Sequence, residues 1–168
     1  ETLYTFDQNL SPMGLAVDHF ANRIYWTGGW GTNGSAGAIR SAPLDGSAPS
    51  ILFTASLPTS IAVDGSSGVY FADDGGVLKG DGSGAGPTQI YKDPHADQNG
   101  CVAALGDLVF TGEVTRPDPT DRFHSSGGVW RMKSDGSAHV KIADAARLAS
   151  IAVDPIASRV YFTDGGAV

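Results

Sequence analysis

The chain has one cysteine, Cys101. That count excludes an internal disulfide and any metal site built from several thiolates. No apolar run approaches the roughly 20 residues that cross a bilayer as a helix, so no membrane insertion is expected. Charge is scarce: charged residues make up 17% of the 168, against about 25% in ordinary soluble domains. Only 11 are Lys or Arg, set against 18 Asp or Glu, for a net charge of −7. Phosphate backbones are held by clustered Lys and Arg; no such cluster occurs, which excludes nucleic acid as the expected partner. Sustained 3.6-residue periodicity is missing, and with it a helical fold class. The Gly-x-Ser-x-Gly elbow and the His-Glu-x-x-His helix are absent too, so neither of those hydrolytic signatures is present. The ends, Glu1 and Gly166-Ala167-Val168, fit a processed or trimmed piece of something longer.

Glycine is plentiful, at 23 residues, about twice the usual share. Combined with 41% hydrophobic content, this points to short buried strands joined by tight turns. A repeat organises them. Gly14-Leu15-Ala16-Val17-Asp18 aligns with Ser60-Ile61-Ala62-Val63-Asp64, with Cys101-Val102-Ala103-Ala104-Leu105 and with Ser150-Ile151-Ala152-Val153-Asp154. This spacing lies within the roughly 40 to 50 residues of propeller blades. Each segment is followed by a second, aromatic run: Ile24-Tyr25-Trp26-Thr27-Gly28, Val69-Tyr70-Phe71-Ala72-Asp73, Leu108-Val109-Phe110-Thr111-Gly112 and Val160-Tyr161-Phe162-Thr163-Asp164. These runs are continuous rather than alternating, as in strands buried on both faces. A third strand then leads into Asp45-Gly46-Ser47, Asp81-Gly82-Ser83 or Asp135-Gly136-Ser137, a strong turn signal, and a fourth strand follows. Four antiparallel strands per repeat make a propeller blade. The expected fold is all-β: a β-propeller with blades at about 14–54, 60–92 and 101–142, and part of a fourth at 150–168, to which Thr2-Leu3-Tyr4-Thr5-Phe6 could add a strand.

These residues resemble the YWTD repeats of the low-density lipoprotein receptor family. Tyr25-Trp26-Thr27-Gly28 and Tyr161-Phe162-Thr163-Asp164 are the nearest matches, and the broader group of NHL-like six-bladed propellers is similar. The resemblance implies a six-bladed ring, finished by a longer chain or by another copy, and Thr and Asp side chains that knit neighbouring blades together. It also implies an extracellular, periplasmic or cell-surface location. Blade two departs from the motif with Ala72, and blade three with Leu105 in place of the strand-ending Asp. In an open arc, Ile51, Phe53, Val160 and Phe162 are expected to be left uncovered at the terminal blades.

One scaffold of this kind hosts binding and hydrolytic activities alike, so function has to be sought in particular residues. Asp18, Asp64, Asp73, Asp154 and Asp164 read as turn acceptors at strand ends, the alternative being a cation site in the central channel. Gly29 to Gly34 fits a dinucleotide fingerprint on paper, but a strand rather than a helix follows it. Long connections on a rigid scaffold are where binding residues gather. Two such connections, 29–37 and 113–128, and the link 93–97 offer Trp30, His95, Asp97, Glu113, Arg116, Asp118, Asp121, Arg122 and His124. Charged, aromatic and imidazole groups there suit a polar protein or saccharide surface. The reading is a non-enzymatic protein-binding or scaffolding module that needs no cofactor, with a protein partner or further copies of itself completing the ring. The alternative is a lactonase-like, metal-dependent hydrolase holding calcium in its channel.

Overall fold

Turn-forming Asp and Gly residues fold the buried apolar runs back on one another, and the result is four separate antiparallel sheets. The computed structural model describes residues 11–29, 37–74, 76–92, 96–115, 126–145 and 148–164. Blade one is β1 (Ser11–Asp18), β2 (Arg23–Gly29), β3 (Gly37–Pro43) and β4 (Ser50–Ala55), hydrogen-bonded in that order. Blade two is β5 (Pro58–Val63), β6 (Gly68–Asp73), β7 (Gly76–Asp81) and β8 (Thr88–Lys92). Blade three is β9 (Ala96–Leu105), β10 (Leu108–Thr115), β11 (Ser126–Lys133) and β12 (Val140–Ala145). Blade four has β13 (Leu148–Asp154) and β14 (Arg159–Asp164). No helix occurs among the described residues. This is a β-propeller arc with three complete blades and part of a fourth, the fold class expected from the repeat. Residues 2–6 lie outside the described residues.

The blades stack face to face, chiefly through their inner strands: β1 against β5, β5 against β9, and β9 against β13. Stacking buries a second strand from both sides, and every residue of β6 is buried. Between blades one and two, Tyr25, Ile39 and Phe53 meet Ile61, Val69 and Phe71. Ala62, Tyr70 and Val77 meet Val102, Val109 and Met132 between blades two and three. Cys101, Ala103 and Phe110 meet Leu148 and Ile151 between blades three and four.

Two sequence expectations are corrected here. In blade one the inner and second strands join through a longer turn, placing Tyr25 opposite Ala16. In blade three Leu105 pairs with Leu108 across the two-residue turn Gly106-Asp107, and Phe110 falls opposite Ala103. The shorter turn shifts the aromatic run by one place, so Phe110, not Val109, occupies the Tyr25 position, and Thr111 that of Trp26. The uncovered residues differ as well. Phe53 is buried against Phe71 and Val160 packs into the core between blades three and four, whereas Ile51 and Phe162 are exposed along with Met13, Leu15, Val17 and Tyr161. A continuous apolar run does not declare which of its residues faces which neighbour.

Candidate functional site: the channel and the face around it

Register fixes where the long connections leave the blades. In blade three Thr115 pairs with both Ser126 and Ala96, so segments 93–95 and 116–125 join the sheet at one end. Gly29 pairs with Ser11 in blade one, which puts segment 30–36 at the equivalent end. Trp30, His95, Arg116, Asp118, Asp121, Arg122 and His124 lie on these segments, outside the described residues. Asp97 is at the start of β9. Glu113 lies inside β10 rather than in a connection, and it is fully buried.

Near the same end, the inner strands enclose a cavity of about 260 Å³. Its lining includes Gly14, Ser60, Cys101 and Ser150, the leading residue of each aligned inner strand. These side chains are small because four strands converge there, so peptide groups and hydroxyls dominate the wall. Ser60 Oγ accepts the Val102 N–H at 3.1 Å and ties blade two to blade three. Thr27 Oγ1 accepts the Gly14 N–H at 2.8 Å and the Met13 N–H at 3.3 Å, and Thr163 Oγ1 accepts the Ser150 N–H at 3.0 Å. Each Thr therefore pins the inner strand of its own blade rather than bridging two blades. The knitting between blades falls to Asp73, whose carboxylate accepts the Ser56 N–H at 2.9 Å and the Leu57 N–H on the link arriving from blade one. Burial pushes the Cys101 thiol up to about 11, which keeps it protonated and unreactive at neutral pH.

Three other strand-end carboxylates are occupied in turns away from the cavity. Asp18 accepts the Phe20 and Ala21 N–H groups, both at 2.9 Å. Asp154 accepts those of Ile156 at 2.8 Å and Ala157 at 3.0 Å. Asp64 takes the Ser66 N–H at 2.7 Å, the Ser66 hydroxyl at 2.9 Å, the Gly68 N–H at 3.0 Å and the Tyr70 hydroxyl at 2.9 Å. Burial raises the Asp64 carboxyl, but the hydrogen bonds outweigh it and hold the group below the usual carboxylate range. Among the described residues, no group of three or more His, Cys, Asp or Glu could hold a metal ion.

A second polar cluster sits between blades two and three. Glu113 Oε1 and His139 Nε2 are 3.0 Å apart. The imidazole stacks on Trp130, at 4.6 Å between centroids and 5° between planes, and on Tyr91 of blade two, at 4.0 Å and 30°. The sequence assigns Glu113 to the connection 113–128, and nothing in it marks His139 as a partner. The two are separated by 26 residues with no local motif, and only the blade topology brings them together.

No protein-family model matches the chain, and no curated protein matches it. Solved structures do resemble it. A chain of a nidogen/laminin complex superposes with a TM-score of 0.77 at 16% identity, over 93% of this chain and 57% of that one. A gluconolactonase from Xanthomonas campestris gives 0.70 at 20% identity, over 99% and 58%. A putative TolB from Agrobacterium tumefaciens gives 0.63 at 14% identity, over 95% and 60%. At these identities the likeness establishes the propeller fold. The chain spans less than two thirds of the length of each of these neighbours.

Proposed function

We propose that this propeller arc is a non-enzymatic protein-binding or scaffolding module whose ligand face is the side where segments 30–36, 93–95 and 116–125 join the blades. One observation carries the reading: the cavity between the inner strands, near the blade ends that bear these segments, is walled mostly by peptide groups, hydroxyls and small side chains. Such a surface recognises a partner by shape and neutral hydrogen bonds. Three of the acidic strand ends, Asp18, Asp64 and Asp154, are engaged in turns. A neighbour drawn from a complex of two proteins, nidogen and laminin, supports the reading. Membership of the YWTD or NHL-like group belongs to the same proposal, as does a location outside the cell, in the periplasm or at a cell surface; the receptor-like repeats support both.

The second reading, a calcium-dependent lactonase-like hydrolase, has the gluconolactonase likeness in its favour. Replacing residues 116–125 with an Asn-Gly turn tests the first. The trimmed chain is expected to melt as the parent does, because loop length alters stability only slowly, and to lose a partner that cross-links to the parent. Unfolding of the trimmed chain, or full retention of the partner, would overturn the assignment of this face.

A further inference from the structure

The junction between blades two and three lies inside the arc and is mostly apolar, with Ala62, Tyr70 and Val77 against Val102, Val109 and Met132. β10 runs in unbroken register with β11 from Leu108 to Thr115. Its side chains therefore alternate, and Val109, Thr111 and Glu113 share the face turned to blade two. Glu113 thus carries a carboxylate into an apolar junction, where it is 2% exposed. A buried charge is destabilising unless it is paired and hydrogen-bonded. The buried Asp18 and Asp73 are satisfied by backbone N–H groups. Glu113 meets an imidazole, His139 Nε2, at 3.0 Å.

The imidazole is itself enclosed. Tyr91 of β8 stacks on it at 4.0 Å and Trp130 of β11 at 4.6 Å. Two rings at these distances cannot share one face, so His139 is sandwiched between an aromatic of blade two and one of blade three. Aromatic faces attract a cation, and a carboxylate at hydrogen-bond distance favours the charged imidazole. Burial by itself favours the neutral ring, yet here a neutral ring would give up its attraction to both aromatics and to the buried carboxylate at once. Further charges surround this core. Lys141 of β12 lies 6.0 Å from the Trp130 ring and pairs with Asp144 at 2.6 Å. Asp135, in the turn before β12, accepts the Ser137 N–H at 2.8 Å, and Lys92 of β8 is exposed. Asp97 stands on β9, two places from Asn99, the register partner of Glu113.

We propose that Glu113 and His139 form a pH-sensitive latch across the junction of blades two and three. An imidazolium held between Tyr91 and Trp130 and bonded to the buried carboxylate keeps the junction closed, and loss of its proton loosens it. The roots of two connections sit at this latch. Tyr91 is one residue before the end of β8, ahead of segment 93–95, and Glu113 is two residues before the end of β10, ahead of segment 116–125. A His whose folded value lies above its unfolded one, about 6.5, contributes stability that is fully present below about 6.5. That contribution is lost as pH rises through the folded value.

Proton NMR titration of the four imidazoles, with His139 assigned by His139→Gln, tests the latch alongside urea unfolding of the same chains across neutral and alkaline pH. His139 is expected to titrate above about 6.5, and Glu113→Gln should lower its midpoint by about 1–3 pH units. The urea midpoint of the parent should exceed that of His139→Gln most below about pH 6.5. The gap should then shrink over the same pH range in which the His139 signal titrates. Should Glu113→Gln fail to fold, the parent and His139→Gln still decide, because the gap and the parent's titration need no other variant. A His139 midpoint at or below about 6.5, a midpoint unmoved in folded Glu113→Gln, or a gap that stays constant with pH would overturn the proposal.

Discussion

Phe53 lies at the junction of blades one and two, and its surroundings allow a two-sided test of the stacking. Its ring is buried in the core with Tyr25, Ile39, Ile61 and Phe71, and it stacks on Phe71 at 5.9 Å and 18°. The ring edge lies over Gly80 of β7, so a Cβ added at Gly80 would overlap it. Phe53→Ala removes a large buried aromatic and should cost about 3–5 kcal/mol. Gly80→Ala forces a methyl group into the ring and should cost about 1–3 kcal/mol as overpacking. In the double variant the new methyl enters the space the ring has vacated. The combined loss should therefore fall short of the summed single losses by about 1–3 kcal/mol, a coupling typical of residues in contact. Urea unfolding followed by circular dichroism, with an unchanged m-value and a fixed protein concentration, measures all four corners of the cycle. Losses that add to within about 0.5 kcal/mol would show that the two residues do not touch, and the stacking of blade one on blade two would be wrong.

The remaining predictions concern polar groups. Thr27→Val strands the Met13 and Gly14 N–H groups and should destabilise by about 1–3 kcal/mol; Thr27→Ser should recover most of this, as read by urea unfolding. Cys101 should resist a thiol reagent at pH 8 in the folded state and react at once in urea. Because burial raises this thiol to about 11, its contribution to stability is complete below the unfolded value and is lost as pH climbs through about 11. A melting temperature that is flat across this alkaline window would contradict the burial. The lowered Asp64 carboxyl works in the opposite sense: its contribution is present above the ordinary carboxylate value of 3.8 and is lost as pH falls below it. Asp64→Asn should flatten that acid limb of the melting curve.

Much of the architecture was legible because each blade repeats the same local instructions. Asp-Gly-Ser turns recur in three blades, and their Asp side chains accept the N–H two residues on, at 2.8 Å in Asp45, 2.9 Å in Asp81 and 2.8 Å in Asp135. Continuous apolar runs announced strands buried on both faces, and β6 is such a strand. The lost details depend on distances between blades. The one-place shift of Phe110 follows from a shortened turn that sequence alignment alone reads as a gap. The Glu113–His139 pair and its Tyr91 and Trp130 neighbours come from three strands and the turn before β12, in two blades, and no spacing rule connects them. Phe53 looked like an outer residue of an end blade and instead seals an internal junction, because blade one stacks its β3–β4 side on Phe71 and Gly80.

The functional reading is tested most directly by measuring thermal unfolding in calcium and in chelator, together with turnover of an aldonolactone by the same preparation. A binding module with a channel walled by hydroxyls and peptide groups predicts equal melting temperatures and no turnover above the uncatalysed rate. A melting temperature raised by calcium, accompanied by calcium-dependent lactone hydrolysis, would contradict it.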